Sequence, residues 1–152
     1  MTSLDAAPGS MLEDLRARRA KAVERLHLDR PVPGLKPLTV RFRPLTVIEL
    51  ARIGKTYEGS TDPDANTNHD ATVLATSCVA VWDRIDDRPP PADAPTFSSG
   101  LAERLGLEPD ASATVVVRSL YLTDGDVISA AARVQRWSGF SIDEVDRDAQ
   151  GN

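Results

Sequence analysis

The apolar positions of this chain recur mainly at helical spacing, with one clear stretch of strict alternation. From Ser10 to about Leu28, Leu12, Leu15, Ala22, Val23 and Leu26 fall near one face. Arg16, Arg18, Arg19, Lys21 and Arg25 occupy much of the remainder, so the segment predicts a basic amphipathic helix. Pro31-Val-Pro-Gly34 ends that pattern and forces extended or turning backbone. Leu38-Thr-Val-Arg-Phe-Arg43 then alternates apolar and polar without a fault, which predicts a half-buried strand with its arginines outward.

A second helix is expected from Thr46, carrying Val47, Leu50, Ala51 and Ile53 inward, with Gly54 and Gly59 bracketing its end. Residues 58–69 are polar and predict a surface loop. Asn68 or Asp70 is a candidate cap for a third helix with the stripe Ala71, Leu74, Ala75, Cys78, Trp82 and Ile85. Its tail, from Val79 to Ile85, fits equally well as a strand pairing with residues 38–43. Residues 86–95 hold four prolines and four charged residues and predict a linker or an exposed arm. Helices are expected over about 98–106, 111–121 and 123–138, the last with Val127, Ala130, Ala131, Val134 and Trp137 on one side.

Helix starts are marked by a hydroxyl followed three residues later by an acid. Ser10-x-x-Glu13, Thr46-x-x-Glu49 and Ser141-x-x-Glu144 fit this pattern, and Thr123-x-x-Asp126 is a near variant. The expected fold is therefore mainly α, a small helical domain with a short β element near 38–43 and a candidate partner strand near 79–85. It is expected to fill residues 10–140 as one domain, after a disordered leader at 1–9 and before a mobile tail at 141–152.

Composition narrows the class. Of 152 residues, 41% are hydrophobic but only 5% aromatic, so a core of Leu, Val, Ile and Ala is expected. No run approaches the roughly 18 apolar residues of a membrane span, and Asp5 and Pro8 interrupt any secretory layout at the N-terminus. The lone Cys78 has no internal disulfide partner, which fits a cytoplasmic setting. Fifteen arginines against three lysines, with abundant Ala, Asp and Val, suggest a GC-rich source such as an actinobacterium or a virus infecting one.

The net charge of −5 divides into +4 over residues 1–60 and −9 over residues 61–152. Such opposite ends can attract each other, within a protomer or by self-association head to tail between copies; the alternative is that both surfaces are simply solvated.

Candidates for chemistry fall away on inspection. Asp62-x-Asp64-x-Asn66 resembles the opening of a calcium loop, but the pattern then wants Gly and Glu where Thr67 and Val73 stand. His27 and His69 lack partners at metal-ligand spacing, and Cys78 sits on an apolar stripe. No phosphate loop or nucleophile elbow occurs. Neither catalysis nor a cofactor or metal is expected. Five basic residues between 16 and 25 are a candidate phosphate contact, yet Glu13, Asp14 and Glu24 share the helix and the pI of about 5.0 opposes nucleic acid.

One resemblance adds to this reading. The order of basic amphipathic helix, Leu28-Asp-Arg-Pro-Val-Pro-Gly34, strand Val40-Arg-Phe-Arg-Pro-Leu45, helix Ile48-Glu-Leu-Ala-Arg-Ile53, and Ala75-Thr-Ser-Cys-Val-Ala-Val-Trp82 resembles the tail assembly chaperones of long-tailed phages. A terminal helix ending in Val134-Gln-Arg-Trp137 is similar to theirs as well. The resemblance implies a non-catalytic protein of the host cytoplasm, absent from the mature virion. Its partner would be the long, apolar, helical tape-measure protein, kept soluble until tail-tube subunits polymerise round it. Many such chaperones are made in two lengths by a ribosomal frameshift.

A chaperone of this kind needs apolar faces for its client and charge for solubility. The candidate partner-binding residues are Leu12, Leu15, Arg18, Val23, Arg25 and Leu26 on the first helix, and Val127, Val134 and Trp137 on the last. Two other roles remain open: a structural head–tail or tail-completion protein of the virion, and a small nucleic-acid-binding regulator.

Overall fold

A computed structural model of the protein describes residues 8–140. The fold is mainly α: the described residues form six helices and one small three-stranded antiparallel sheet, and 51% of them are helical. In chain order these are α1 (Pro8–Arg25), β1 (Leu28–Pro31), β2 (Leu38–Phe42), α2 (Val47–Tyr57), α3 (Ala65–Ser77), β3 (Cys78–Asp83), α4 (Leu101–Arg104), α5 (Ala113–Leu120) and α6 (Asp124–Trp137). The capping pattern at Ser141 lies outside the described residues.

The predicted strand at 38–43 forms as β2 and lies at the centre of the sheet, in the order β1-β2-β3. Of the two readings for residues 79–85, the strand is the one adopted. α3 ends at Ser77, and β3 pairs with β2 with Val40 opposite Val81 and Thr39 opposite Trp82. β1 is an addition to the expected elements, pairing Leu28 with Phe42 and Asp29 with Arg41. Its Pro31 sits on a sheet edge, where a missing N–H costs no ladder bond. The β1–β2 connection turns at Gly34, whose φ of +80° is a backbone region that favours glycine.

Helix boundaries follow their caps. Thr46 and Glu49 form a complete capping box on α2, with Glu49 N donating to Thr46 Oγ1 at 3.1 Å and Thr46 N donating to Glu49 Oε1 at 3.0 Å. Thr123 Oγ1 accepts from Asp126 N at 3.0 Å to open α6, and Ser112 Oγ accepts from Val115 N at 3.3 Å to open α5. Ser10 caps nothing, because α1 already begins at Pro8, a residue suited to a first turn. The first helix thus takes in Pro8 and Gly9 of the expected leader. α3 likewise starts at Ala65, before Asn68 and Asp70, so the loop is shorter than expected. Asn68 instead accepts from Arg118 Nη1 at 3.0 Å, tying α5 to α3.

The core gathers around α3, which packs on α6, α5 and α2. Ala71, Val73 and Leu74 of α3 meet Val116, Val117 and Leu120 of α5 and Val127, Ala131 and Val134 of α6, with Val40, Phe42 and Val81 joining from the sheet. Ser77 is fully buried, and its hydroxyl donates back to Val73 O at 2.8 Å. α2 turns inward only part of the face expected. Ile53 is buried and Leu50 and Tyr57 pack beside it, whereas Val47 and Ala51 are exposed. At about 100° per residue, those two lie off the stripe that meets α3.

The alternation of β2 is also modified. Thr39 is buried, and Arg41 and Arg43 are engaged rather than outward. Arg43 donates to both carboxylate oxygens of Glu49, at 2.9 and 2.6 Å, and to Thr76 O at 3.0 Å, which fixes the end of β2 to α2 and α3. These bonds hold the Glu49 carboxyl at about 2, overcoming the burial that would raise it, with Thr46 assisting. A folded value below the ordinary 4.5 means that this stabilisation is complete above that value and fades as pH falls toward 2. The stability gap between the native chain and a Glu49→Gln variant is therefore expected to shrink over that acidic window in urea melts. A gap that does not change with pH would show that Glu49 acts only as a neutral cap.

Candidate functional site

α1 is the one long helix that the core does not claim. Every residue from Gly9 to Leu26 is exposed, and no principal packing pair includes this helix. Leu12, Leu15, Val23 and Leu26 are 49%, 60%, 51% and 50% exposed, and Met11 beside them is 58% exposed. The successive spacings of three, eight and three residues between Leu12, Leu15, Val23 and Leu26 place them on one side of the helix. Arg19 falls within that stripe and Arg16 at its border, while Arg18, Lys21 and Arg25 lie beyond it. Arg18 pairs with Asp14 one turn earlier, with both side chains exposed. The helix between Ser10 and Arg25 carries five basic and three acidic residues, so its surface is apolar along one stripe and positive around it.

The other expected contact residues are placed differently. Val127 and Val134 are 0% exposed and belong to the core, so neither can touch a partner while the domain is folded. Trp137 is half-buried at the end of α6. The structure thus separates the two expected stripes: that of α6 is spent on folding, and that of α1 stays exposed among the described residues. Helices in proteins owe most of their stability to packing of an apolar face, and among the described residues α1 has no principal packing partner.

Where α1 meets the sheet there is a charged cluster that the sequence did not reveal. Asp29 on β1 has a side chain only 8% exposed and accepts from Arg41 Nε at 2.8 Å and Nη2 at 2.9 Å. Arg84 Nη1 reaches the same carboxylate at 3.3 Å, and His27 Nε2 lies 4.0 Å away. Burial pushes the Asp29 carboxyl up, but the Arg41 bonds and the charges of Arg41, His27 and Arg84 bring it below its ordinary value. Arg41 in turn stacks over the Trp82 ring, 5.4 Å from its centroid. This cluster braces the strand that follows α1. It is a chain of paired charges rather than a reactive centre.

The remaining polar groups carry structural tasks. Asp62 Oδ1 accepts from Asp64 N at 2.8 Å, closing a turn before α3. Among the described residues, no group of three or more His, Cys, Asp or Glu side chains is placed to hold a metal, and no helix is long and apolar enough to cross a membrane. Burial pushes the Cys78 thiol up to about 11 and the Tyr121 hydroxyl well above its usual range. The thiolate being the reactive form, Cys78 is expected to resist iodoacetamide at about pH 8 in the native protein and to react readily once unfolded. Equal rates in both states, followed by mass spectrometry, would show that its pocket opens.

Comparison of the chain with protein-family models, with curated proteins and with solved structures finds no match.

Proposed function

We propose that the protein is a non-catalytic chaperone of phage tail assembly, which holds an apolar, acid-bearing helix of the tape-measure protein against α1 until tail-tube subunits replace it. The observation that carries the reading is the stripe of α1: four large apolar side chains at about half exposure or more, ringed by arginines, on a helix without a principal packing partner among the described residues. A soluble domain rarely leaves such a face uncovered without a partner for it. The helical periodicity of the stripe selects a helix as occupant, and its positive surround selects acidic residues flanking the client's apolar face. The packed core that follows α1 serves as a base.

The resemblance to tail assembly chaperones supplies the name of the client, and the chain's division into a basic first part and an acidic second part supplies solubility for the complex. In this reading the protein acts in the host cytoplasm and leaves the particle before it matures.

The test is co-expression with a tape-measure protein. Soluble client in stoichiometric complex is expected, together with absence of this protein from purified virions. A client that stays insoluble despite abundant chaperone, or this protein retained in finished particles, would overturn the proposal.

A further inference from the structure

The apolar stripe of α1 has a charge at its centre. Leu12 and Leu26 stand seven residues either side of Arg19, and Leu15 and Ala22 fill the turns between. These five positions step by three, four, three and four residues, the seam of a two-heptad coiled coil with Arg19 in the middle. At about 100° per residue, Arg19 also falls between Leu12 and Leu26 around the helix, on the midline of the stripe.

Its own helix does not neutralise it. The neighbours three and four positions away are Leu15, Arg16, Ala22 and Val23, and none is acidic. Arg19 is exposed and has no ion-pair partner among the described residues, whereas Arg18 beside it is paired with Asp14. Any helix laid along the stripe takes the Arg19 guanidinium out of water where the two helices approach most closely. A charge buried without a counter-charge is strongly unfavourable, so the covering helix must bring a carboxylate to that point. A second copy of the chain cannot do so. Two-fold pairing sets the middle of one stripe on the middle of the other, and Arg19 then meets Arg19.

We propose that Arg19 is the specificity-determining residue of this face, selecting a helix of a different chain that carries Asp or Glu at the seam position opposite it. A single polar group in an otherwise apolar seam fixes register and partner in this way, at some cost in stability. The inference rests on the reading of α1 as a docking face and adds which helix that face accepts.

The test uses synthetic heptad peptides with an apolar seam and acidic flanks, identical except for Glu, Gln or Lys at the middle seam position. The full chain is expected to bind the Glu peptide about tenfold or more tighter than the Lys peptide, with the Gln peptide between. Arg19→Glu should reverse that order while leaving the melting temperature within about 2 °C, because the position is exposed. Equal affinity for the three peptides, or an order that Arg19→Glu leaves unchanged, would overturn the role of Arg19 and leave α1 as a docking face. Binding of none of them would overturn both. Sedimentation of the chain alone is expected to show no pairing through α1. A dimer that Leu15→Asp abolishes would make a second copy the occupant and overturn the proposal.

Discussion

Replacing Asp29 by alanine is expected to cost about 3–5 kcal/mol of stability, a large part of the roughly 5–15 kcal/mol that holds a domain together. The reason is asymmetric. The pair itself need contribute little, but deleting the carboxylate strands the Arg41 guanidinium, whose side chain is only 20% exposed, without its bidentate partner. The Arg84 contact to the same carboxylate is lost too, and Arg41 is freed from its place over Trp82. Asp29→Asn keeps the shape and one acceptor, so it should cost less than alanine. Because the folded carboxyl titrates below 3.8, the contribution is complete above that value and is lost as pH falls below it. Urea unfolding should show a lower midpoint at an unchanged slope. A loss under about 1 kcal/mol would mean that the cluster behaves as an ordinary surface pair.

The same chemical change is expected to have opposite consequences on α1 and α6. Leu15→Asp, at a side chain 60% exposed, should leave stability within about 0.5 kcal/mol and the melting temperature within about 2 °C. Val134→Asp, at a side chain 0% exposed, buries a charge in the core and should prevent folding. For partner capture the ranking is set by α1. Each large apolar side chain removed from a helix–helix contact forfeits about 1.5–3 kcal/mol, so Leu12→Asp with Leu15→Asp should weaken client binding a hundredfold or more. Charge reversal at Arg18 and Arg25 should weaken it further at low salt than at high salt. A doubly substituted chain that is folded and still holds its client would remove α1 from the interface.

The legibility of this protein from its residues has a physical pattern. Thr46 and Thr123 were readable because a cap is made by residues within one turn of each other. The alternation at 38–43 gave β2, but not β1, whose four residues include a proline and are ordered only by pairing across the hairpin. The switch from α3 to β3 at Cys78 was open because the apolar run through Trp82 suits either period, and pairing with β2 decides it. The inward face of α2 was misread at Val47 and Ala51 for a related reason. A short helix offers several apolar positions, and only the neighbour it meets selects among them.

The candidate site shows the same division. The stripe on α1 was visible as spacing, and so was the stripe on α6. Nothing local says that Val127 and Val134 are consumed by the core while Leu12 and Leu15 stay about half exposed or more. Nor does spacing foretell that Asp29, Arg41 and Arg84 converge, since Asp29 and Arg84 are 55 residues apart in the chain.

The most direct measurement of the central claim, that α1 is a docking face left bare for a helical partner, is amide hydrogen exchange over residues 8–26 in the free protein and in the co-purified complex. Without packing, these amides should exchange far faster than those of α3 and α6 in the free protein, and binding should slow them to the pace of the core helices. Protection of α1 equal to that of α6 in the free protein, or no slowing in the complex, would contradict the account.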